Sequence, residues 1–332
     1  MKRTHQFFAA ASLAAALGVA GVPRAAAAAA EACPRIPVIF DTDIGDDIDD
    51  TWALGFLLKS PEFDLRLAVG DQGKNLYRAR LLAKLLERAG RTNIPIGIGL
   101  DANASGSGRQ AAWLGDYDLN RYPGKIYPDG VQAIIDTIMR SPEPVTLICV
   151  GPVPNIREAL RREPRIARNA RFVGMHGSLR LGYGGSAKPA PEYNVRADVN
   201  AFRKVLQAPW SVTITPLDTC GLVNLSGPLY QRMLKSKDPI ARAIMENYRV
   251  WLGSRPETEK TFQTRSSTLF DTVGVYLGMR EELVEIEKLP VKVNDKGMTL
   301  IDSGGRPVRA ATKWKDMEAF KRLLVDRLTG GR

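Results

Sequence analysis

The chain has 332 residues, a quarter of them charged, and a formal net charge of +11. Its cations are scattered, as at Arg161-Arg162, Arg165 and Arg168, rather than striped among aromatics, which argues against a nucleic-acid partner. Three cysteines and two histidines argue against a disulfide framework, a structural zinc site and a Ser-His-Asp triad.

Lys2 and Arg3 precede an apolar run from Phe7 to Val22, and Ala25–Ala30 offers small-residue cleavage sites. Residues 1–30 therefore read as a secretory signal peptide. Residues 31–332 read as one catalytic domain, expected to be exported to the periplasm or secreted. Setting aside Lys2, Arg3 and Arg24 brings the charge from +11 to +8. No later run approaches the ~20 apolar residues of a membrane span, so no membrane association is expected after signal removal. Cys33 and Cys220 can pair in an oxidising compartment, while Cys149 lies in an apolar run and reads as core.

Val38, Ile39 and Phe40 look like the end of a buried strand. Six aspartates follow within ten residues: Asp41, Asp43, Asp46, Asp47, Asp49 and Asp50. Trp52–Leu58 then resumes an apolar pattern at helical spacing. Acids this dense repel, and in an apolar surround each would tend to protonate. A divalent cation removes that conflict, and hard carboxylate oxygens suit calcium or magnesium. The plainer alternative is a solvated acidic loop ahead of a capped helix.

Further along, Leu65–Val69 reads as a strand before the turn Gly70–Gly73. Arg78–Ala89 is an amphipathic helix closed by Gly90. Ile94–Leu100 is a short strand, and Asp101–Tyr127 a long glycine-rich loop of the kind used for lids and binding. Val131–Arg140 is a helix and Val145–Val150 a buried strand. The turn Gly151–Asn155 leads into the helix Ile156–Leu160. Arg171–Met175 and Ser211–Thr215 are strands on either side of the helix Asp198–Leu206. Met233–Leu252 reads as mostly helix, Asp271–Leu277 as the start of another, Glu285–Arg309 as strands and Trp314–Leu328 as a final helix. Strands alternating with helices predict an α/β fold, an open, mostly parallel sheet with helices on both faces. Such sheets bind ligands beyond the carboxyl ends of their strands. The aspartate cluster, Asp71, the Gly151–Asn155 turn and the loop after Met175 all follow strands and would gather at that edge.

Four motifs in this order resemble the inosine/uridine-preferring nucleoside hydrolase family. They are Asp41-Thr42-Asp43-Ile44-Gly45 with Asp49-Asp50, Val150-Gly151-Pro152-Val153-Pro154-Asn155, Pro191-Glu192-Tyr193-Asn194-Val195-Arg196-Ala197-Asp198, and Leu269-Phe270-Asp271. The resemblance implies a Rossmann-like core, usually in a homo-oligomer, a bound Ca2+ ion and hydrolysis of the N-glycosidic bond of a ribonucleoside. By position it makes Asp43 a calcium ligand and the general base for the attacking water. Asp50, Asp271 and the Val150 carbonyl would complete the metal site. Asp49, Glu192 and Asn194 would bind ribose hydroxyls, with Met175 against the sugar. Asp71 falls where the family has a residue near the base, and can contact the base or stabilise its own turn.

The chain also departs from the family pattern. The first motif is two residues longer than the commonest form, which leaves Asp46 and Asp47 unassigned and lets Asp47 compete with Asp50 as a ligand. Phe270 stands where some members carry a histidine that protonates the leaving base, so aromatic stacking is expected there, with Trp113, Tyr248 or Trp251 as possible second faces or as ordinary packing. Ser186 stands where a ribose-contacting asparagine is expected. His176 is a candidate general acid or a structural hydrogen-bonding group. Two other functions fit parts of the sequence. Asp41-x-Asp43 after a strand suits a haloacid-dehalogenase-like phosphatase, and the losses at Phe270 and Ser186 suit a non-catalytic, metal-bound nucleoside- or sugar-binding protein.

Overall fold

The computed structural model describes residue 1, residues 34–100 and residues 106–331. The signal-peptide reading, Cys33 and the first residues of the Asp101–Tyr127 loop lie outside them. Ten strands form a single sheet: β1 (Ile36–Thr42), β2 (Phe63–Gly70), β3 (Ile96–Gly97), β4 (Ile126–Tyr127), β5 (Val145–Cys149), β6 (Ala170–Met175), β7 (Val212–Thr215), β8 (Val284–Val293), β9 (Thr299–Ile301) and β10 (Arg306–Trp314). Their spatial order is β4-β3-β2-β1-β5-β6-β7-β10-β8-β9. Neighbours run parallel from β4 through to β10, and only β8 is antiparallel to its neighbours. This is the open, mostly parallel α/β sheet expected.

Chain order reverses beside β1. Its continuation runs outward through β2, β3 and β4 on one side, and through β5, β6 and β7 on the other. The helices leaving β1 and β5 therefore depart to opposite faces, and a crevice opens between the two strand ends. Alternate β1 side chains feed the two cores. Val38 and Phe40 belong to one apolar cluster with Trp52 and Val273, and Ile39 belongs to the other with Ile134, Ile156 and Phe202. A strand covered on both faces has to be apolar at every position, which is why Val38–Phe40 shows no alternation.

The helix Asp49–Leu58 that follows is buried along its whole length. Gly55 lets the side chain of Ile244 pack close, since a Cβ there would meet Ile244 Cδ1 at 2.6 Å and push that side chain aside. The helix Phe270–Met279, from the far end of the chain, packs beside it.

Several elements differ from the sequence reading. Only Ile96–Gly97 of the Ile94–Leu100 run pairs in the sheet. The Met233–Leu252 helix is two helices, Gly227–Lys235 and Pro239–Leu252. Pro239 cannot continue a helix but starts one well, and the Asp238 carboxylate caps it by accepting from Ile240 N at 2.9 Å. Pro256–Thr264 is a helix that the polar sequence concealed. The final helix begins at Met317, because Trp314 ends β10.

In the long loop, Ala111–Leu114 is a short helix and Leu119–Arg121 a 3-10 turn. Both are fastened to the helix Asn75–Arg88, by Lys84 Nζ on Leu114 O at 3.1 Å and Arg80 Nε on Tyr117 O at 2.6 Å. Cys149 and Cys220 are buried, and among the described residues neither forms a disulfide. Among the described residues, no helix is long and apolar enough to cross a membrane.

Candidate active site

The ends of β1, β5 and β6 and the first turns of two helices enclose a cavity of about 300 Å³. Asp49 and Asp50 occupy the first turn of Asp49–Leu58, and Asp271 the first turn of Phe270–Met279. The two helix N-termini thus converge, and their partial positive charge favours carboxylates there. Asp271 N donates to Asp49 Oδ2 at 3.4 Å. The three acids offer oxygens that all lie within 4.8 Å of one another. Asp50 is further fixed by the Thr42 hydroxyl, which also receives Ile44 N at 3.2 Å.

Asp43 lines the same cavity. Its strand end approaches that of β5 so closely that a Cβ on Gly151 would lie 3.0 Å from Asp43 N and 2.8 Å from Asp71 Oδ2. Glycine is the residue that permits this contact.

All four acids are 2–7% exposed, and burial is the largest cause of their raised pKa values. Asp43 is pushed up to about 6, opposed by Arg78 and assisted by Asp46 and Asp47. Asp49, Asp50 and Asp271 sit well above the usual carboxylate range through burial and then mutual repulsion. Among the described residues, no lysine or arginine pairs with these three. Buried oxygens without a counter-cation form the donor set of a hard divalent ion. The cluster fits a metal, with Asp50 rather than the solvent-exposed Asp47 beside Asp271. Asp49, read from the motif as a sugar contact, stands within this group.

The opposite wall is built from β5, β6 and the helix Tyr193–Ala197. Glu192 caps that helix. Its oxygens accept from Asn194 N at 2.7 Å, Gly177 N at 3.0 Å and Val195 N at 3.2 Å. Burial nevertheless raises it to about 7. Asn194 Nδ2 donates to Val150 O at 2.9 Å and Met175 O at 3.0 Å. Val150, Met175, Glu192, Asn194 and Phe270 all line the cavity, and Phe270 meets Tyr183 edge-on with ring centroids 6.1 Å apart.

Five candidates lie away from the cavity. The Asp71 carboxylate is fully buried, accepting from Val153 N at 2.8 Å and Gln72 N at 2.6 Å, so it staples its turn to the β5 turn outside the cavity lining. Ser186 is on the surface, its hydroxyl taken by Lys188 N at 3.2 Å. Trp251 stands behind the wall, donating Nε1–H to Asp46 O at 2.9 Å. Trp113 and Tyr248 pack in the core.

His176 is also away from the cavity. Its ring stacks on Phe202 at 4.5 Å, and its Nε2–H donates to Gly151 O at 3.0 Å. Burial lowers its pKa to about 3, and the buried ring lies outside the cavity, so it is not placed to act as a general acid. His176→Ala is expected to leave the pH profile of turnover unmoved while lowering stability by about 2–4 kcal/mol, through the cavity it opens. Urea denaturation and pH–rate measurements on that variant would check both halves.

Sequence reasoning missed Arg78, Arg109, Tyr183 and Tyr193. Arg78 is buried beneath the aspartate loop. Its guanidinium donates to the Asp43 carbonyl, to Ile44 O at 2.8 Å and to Asp46 Oδ2 at 3.0 Å. A signal was present, since Arg78 shares the apolar helix face of Leu81, Leu82 and Leu85, where a cation needs a buried partner. Arg109 lies on a connection, Tyr183 in a 3-10 turn and Tyr193 at the start of a five-residue helix, and none of these carries a periodic signal.

The sequence model of the inosine-uridine preferring nucleoside hydrolase family matches residues 38–324. The pyrimidine-specific ribonucleoside hydrolase RihA of Citrobacter koseri is 26% identical over 316 residues, which covers 88% of this chain and 98% of that one. The non-specific ribonucleoside hydrolase RihC of Klebsiella pneumoniae is 27% identical over 312 residues, with the same coverage of 88% and 98%. Among solved structures, a plant nucleoside hydrolase superposes with a TM-score of 0.73 at 22% identity, over 89% of this chain and 99% of that one. The match over residues 38–324 spans the sheet, the buried acids and both site helices, and the chain belongs to the inosine-uridine preferring nucleoside hydrolase family.

Proposed function

We propose that the protein hydrolyses the N-glycosidic bond of ribonucleosides to free base and ribose, with a calcium ion held by Asp43, Asp50, Asp271 and the Val150 carbonyl. The observation that carries this reading is the group of buried, unpaired carboxylates at the β1–β5 crevice of a chain in this family. Calcium, when bound, would lower the pKa of a water and offer ligand positions to the ribose diol. Asp43 takes the proton from the attacking water, a task suited to a carboxylate whose pKa burial has raised. Asp49, Glu192 and Asn194 hold the ribose hydroxyls, and Met175 packs against the sugar. The surrounding carboxylates stabilise the positive charge that develops on the ring in an oxocarbenium-like transition state. Phe270 offers an aromatic face to the base.

The relatives bear names spanning pyrimidine-specific and non-specific activity, so the substrate class proposed is ribonucleosides at large. Export rests on the layout of residues 1–30, and a homo-oligomer on the family.

The test is to incubate the protein with inosine, adenosine, guanosine, uridine and cytidine in calcium and to measure free base. Release from at least one is expected, and release from none would sink the proposal. Nucleoside binding by calorimetry without release would count against it in the same way.

A further inference from the structure

The cavity has a floor and a mouth of different chemistry. Its floor is the buried acids with Glu192 and Asn194. Its mouth is Tyr183 and Tyr193, 44% and 42% exposed, with Phe270 and Arg109. If ribose hydroxyls go to the acids, the base lies at the mouth. Loss of the base leaves the electron pair of the C1′–N bond on a poor leaving group. Phe270 cannot donate a proton, and His176 faces Gly151 O and Phe202. Tyr193 Oη donates to Gln72 Oε1 at 3.4 Å, whereas Tyr183 Oη accepts from Tyr193 N at 2.8 Å and keeps its own proton, which makes Tyr183 the rival donor that the test below includes.

Arg109 is the one cation among the described residues lining the cavity. Its guanidinium is held rather than loose. It lies 3.8 Å from the centre of the Trp251 ring, and Nη2 donates to Trp251 O at 3.0 Å. The flanking residues fix the backbone. The fully buried Gln110 donates Nε2–H to Asp47 O at 2.6 Å and accepts from Asn247 Nδ2 at 2.7 Å. A Cβ on Gly108 would collide with Gly45 O at 2.3 Å. The segment is thus clamped against the aspartate loop, and an arginine fork on an aromatic plane is a preorganised hydrogen-bond donor.

We propose that Arg109 is a catalytic residue that activates the leaving base, which deepens and rests on the function proposed above. As the C1′–N bond breaks, its electron pair moves onto the base and the water oxygen bonds C1′. Asp43 takes the water's proton. The Arg109 guanidinium keeps its own proton and donates a hydrogen bond to the ring nitrogen or carbonyl oxygen where the negative charge collects. The departed base is then protonated by solvent, and Asp43 returns its proton to solvent.

The test compares natural nucleosides with p-nitrophenyl β-D-ribofuranoside, whose leaving group departs as a stable anion without help. Arg109→Ala is expected to lower kcat on the best natural nucleoside by about 10²-fold while changing p-nitrophenyl riboside turnover less than about threefold. Arg109→Lys, which keeps the charge and loses the fork, is expected to restore part of the nucleoside rate. An equal fall on both substrates would make Arg109 a packing residue and overturn the proposal. So would the selective fall arising in Tyr183→Phe instead. Wild-type protein that cleaves neither substrate would refute the function itself, so the two failures are told apart.

Discussion

Asp43→Asn is expected to reduce kcat for ribonucleoside hydrolysis by about 10²–10⁴-fold, the range for loss of a general base. The amide fills the same volume and keeps one donor oxygen, so the backbone contacts made by Arg78 and the packing against Gly151 persist. What is lost is basicity at the one floor acid that stands apart from the converging trio. The wild-type rate is expected to fall on acidification, because Asp43 must be ionised to act. Without a cation, burial as the largest cause, offset by Arg78 and assisted by Asp46 and Asp47, raises Asp43 to about 6, and a bound cation brings that limb lower. A wild-type pH–rate profile, with calcium binding to Asp43→Asn measured by calorimetry, separates lost chemistry from a lost metal. Turnover within about threefold of wild type would remove Asp43 from this role.

The second large effect concerns the metal. In the calcium-free protein, burial lifts Asp43 to about 6, and Asp49, Asp50 and Asp271 well above the usual range. Between the unfolded value near 3.8 and those folded values, the native state binds more protons than the unfolded one. Stability is therefore full below about pH 4 for these groups and declines as pH rises through the folded values. For Asp43 alone, a rise of about two units corresponds to about 3 kcal/mol. A divalent ion replaces those protons. Saturating calcium is thus expected to raise Tm on the order of 5–10 °C at pH 8, with a smaller gain at pH 5. Asp50→Asn, which withdraws a central carboxylate, is expected to abolish the gain. Thermal melts with calcium and with a chelator at both pH values would check this. An undiminished calcium effect in Asp50→Asn would shift the ion to other residues.

The fold was legible because alternation of apolar strands with amphipathic helices has one common solution, and because β1 is too apolar for a surface strand. Helix boundaries were less legible. The break before Pro239 was visible as a proline, yet the apolar pattern runs through it. Pro256–Thr264 has almost no apolar stripe. The floor of the cavity was legible because its acids sit in short motifs at the end of β1 and at the starts of helices. Asp71 shows the limit of that logic, since the same residue type at the same kind of position turned inward to hold two turns together. The mouth was not legible. Arg109 comes from a connection whose course is set by tertiary contacts such as Gln110 with Asn247, and Tyr183 and Tyr193 come from short helical turns with no apolar period to announce which way they face.

The contact of Asp271 N with Asp49 Oδ2 joins residues 222 positions apart. Neither helix N-terminus can offer its carboxylates in concert until both have docked, and the second lies near the end of the chain. A chain emerging from its amino end therefore carries Asp43, Asp49 and Asp50 for most of its length without the partner that completes them. With the metal site proposed here, capture of the ion is expected at the closing stage of folding, because closing a contact of such sequence separation costs the most chain entropy. Any shortened chain that ends before Asp271 keeps its densest acidic stretch and lacks the residue that turns it into a site.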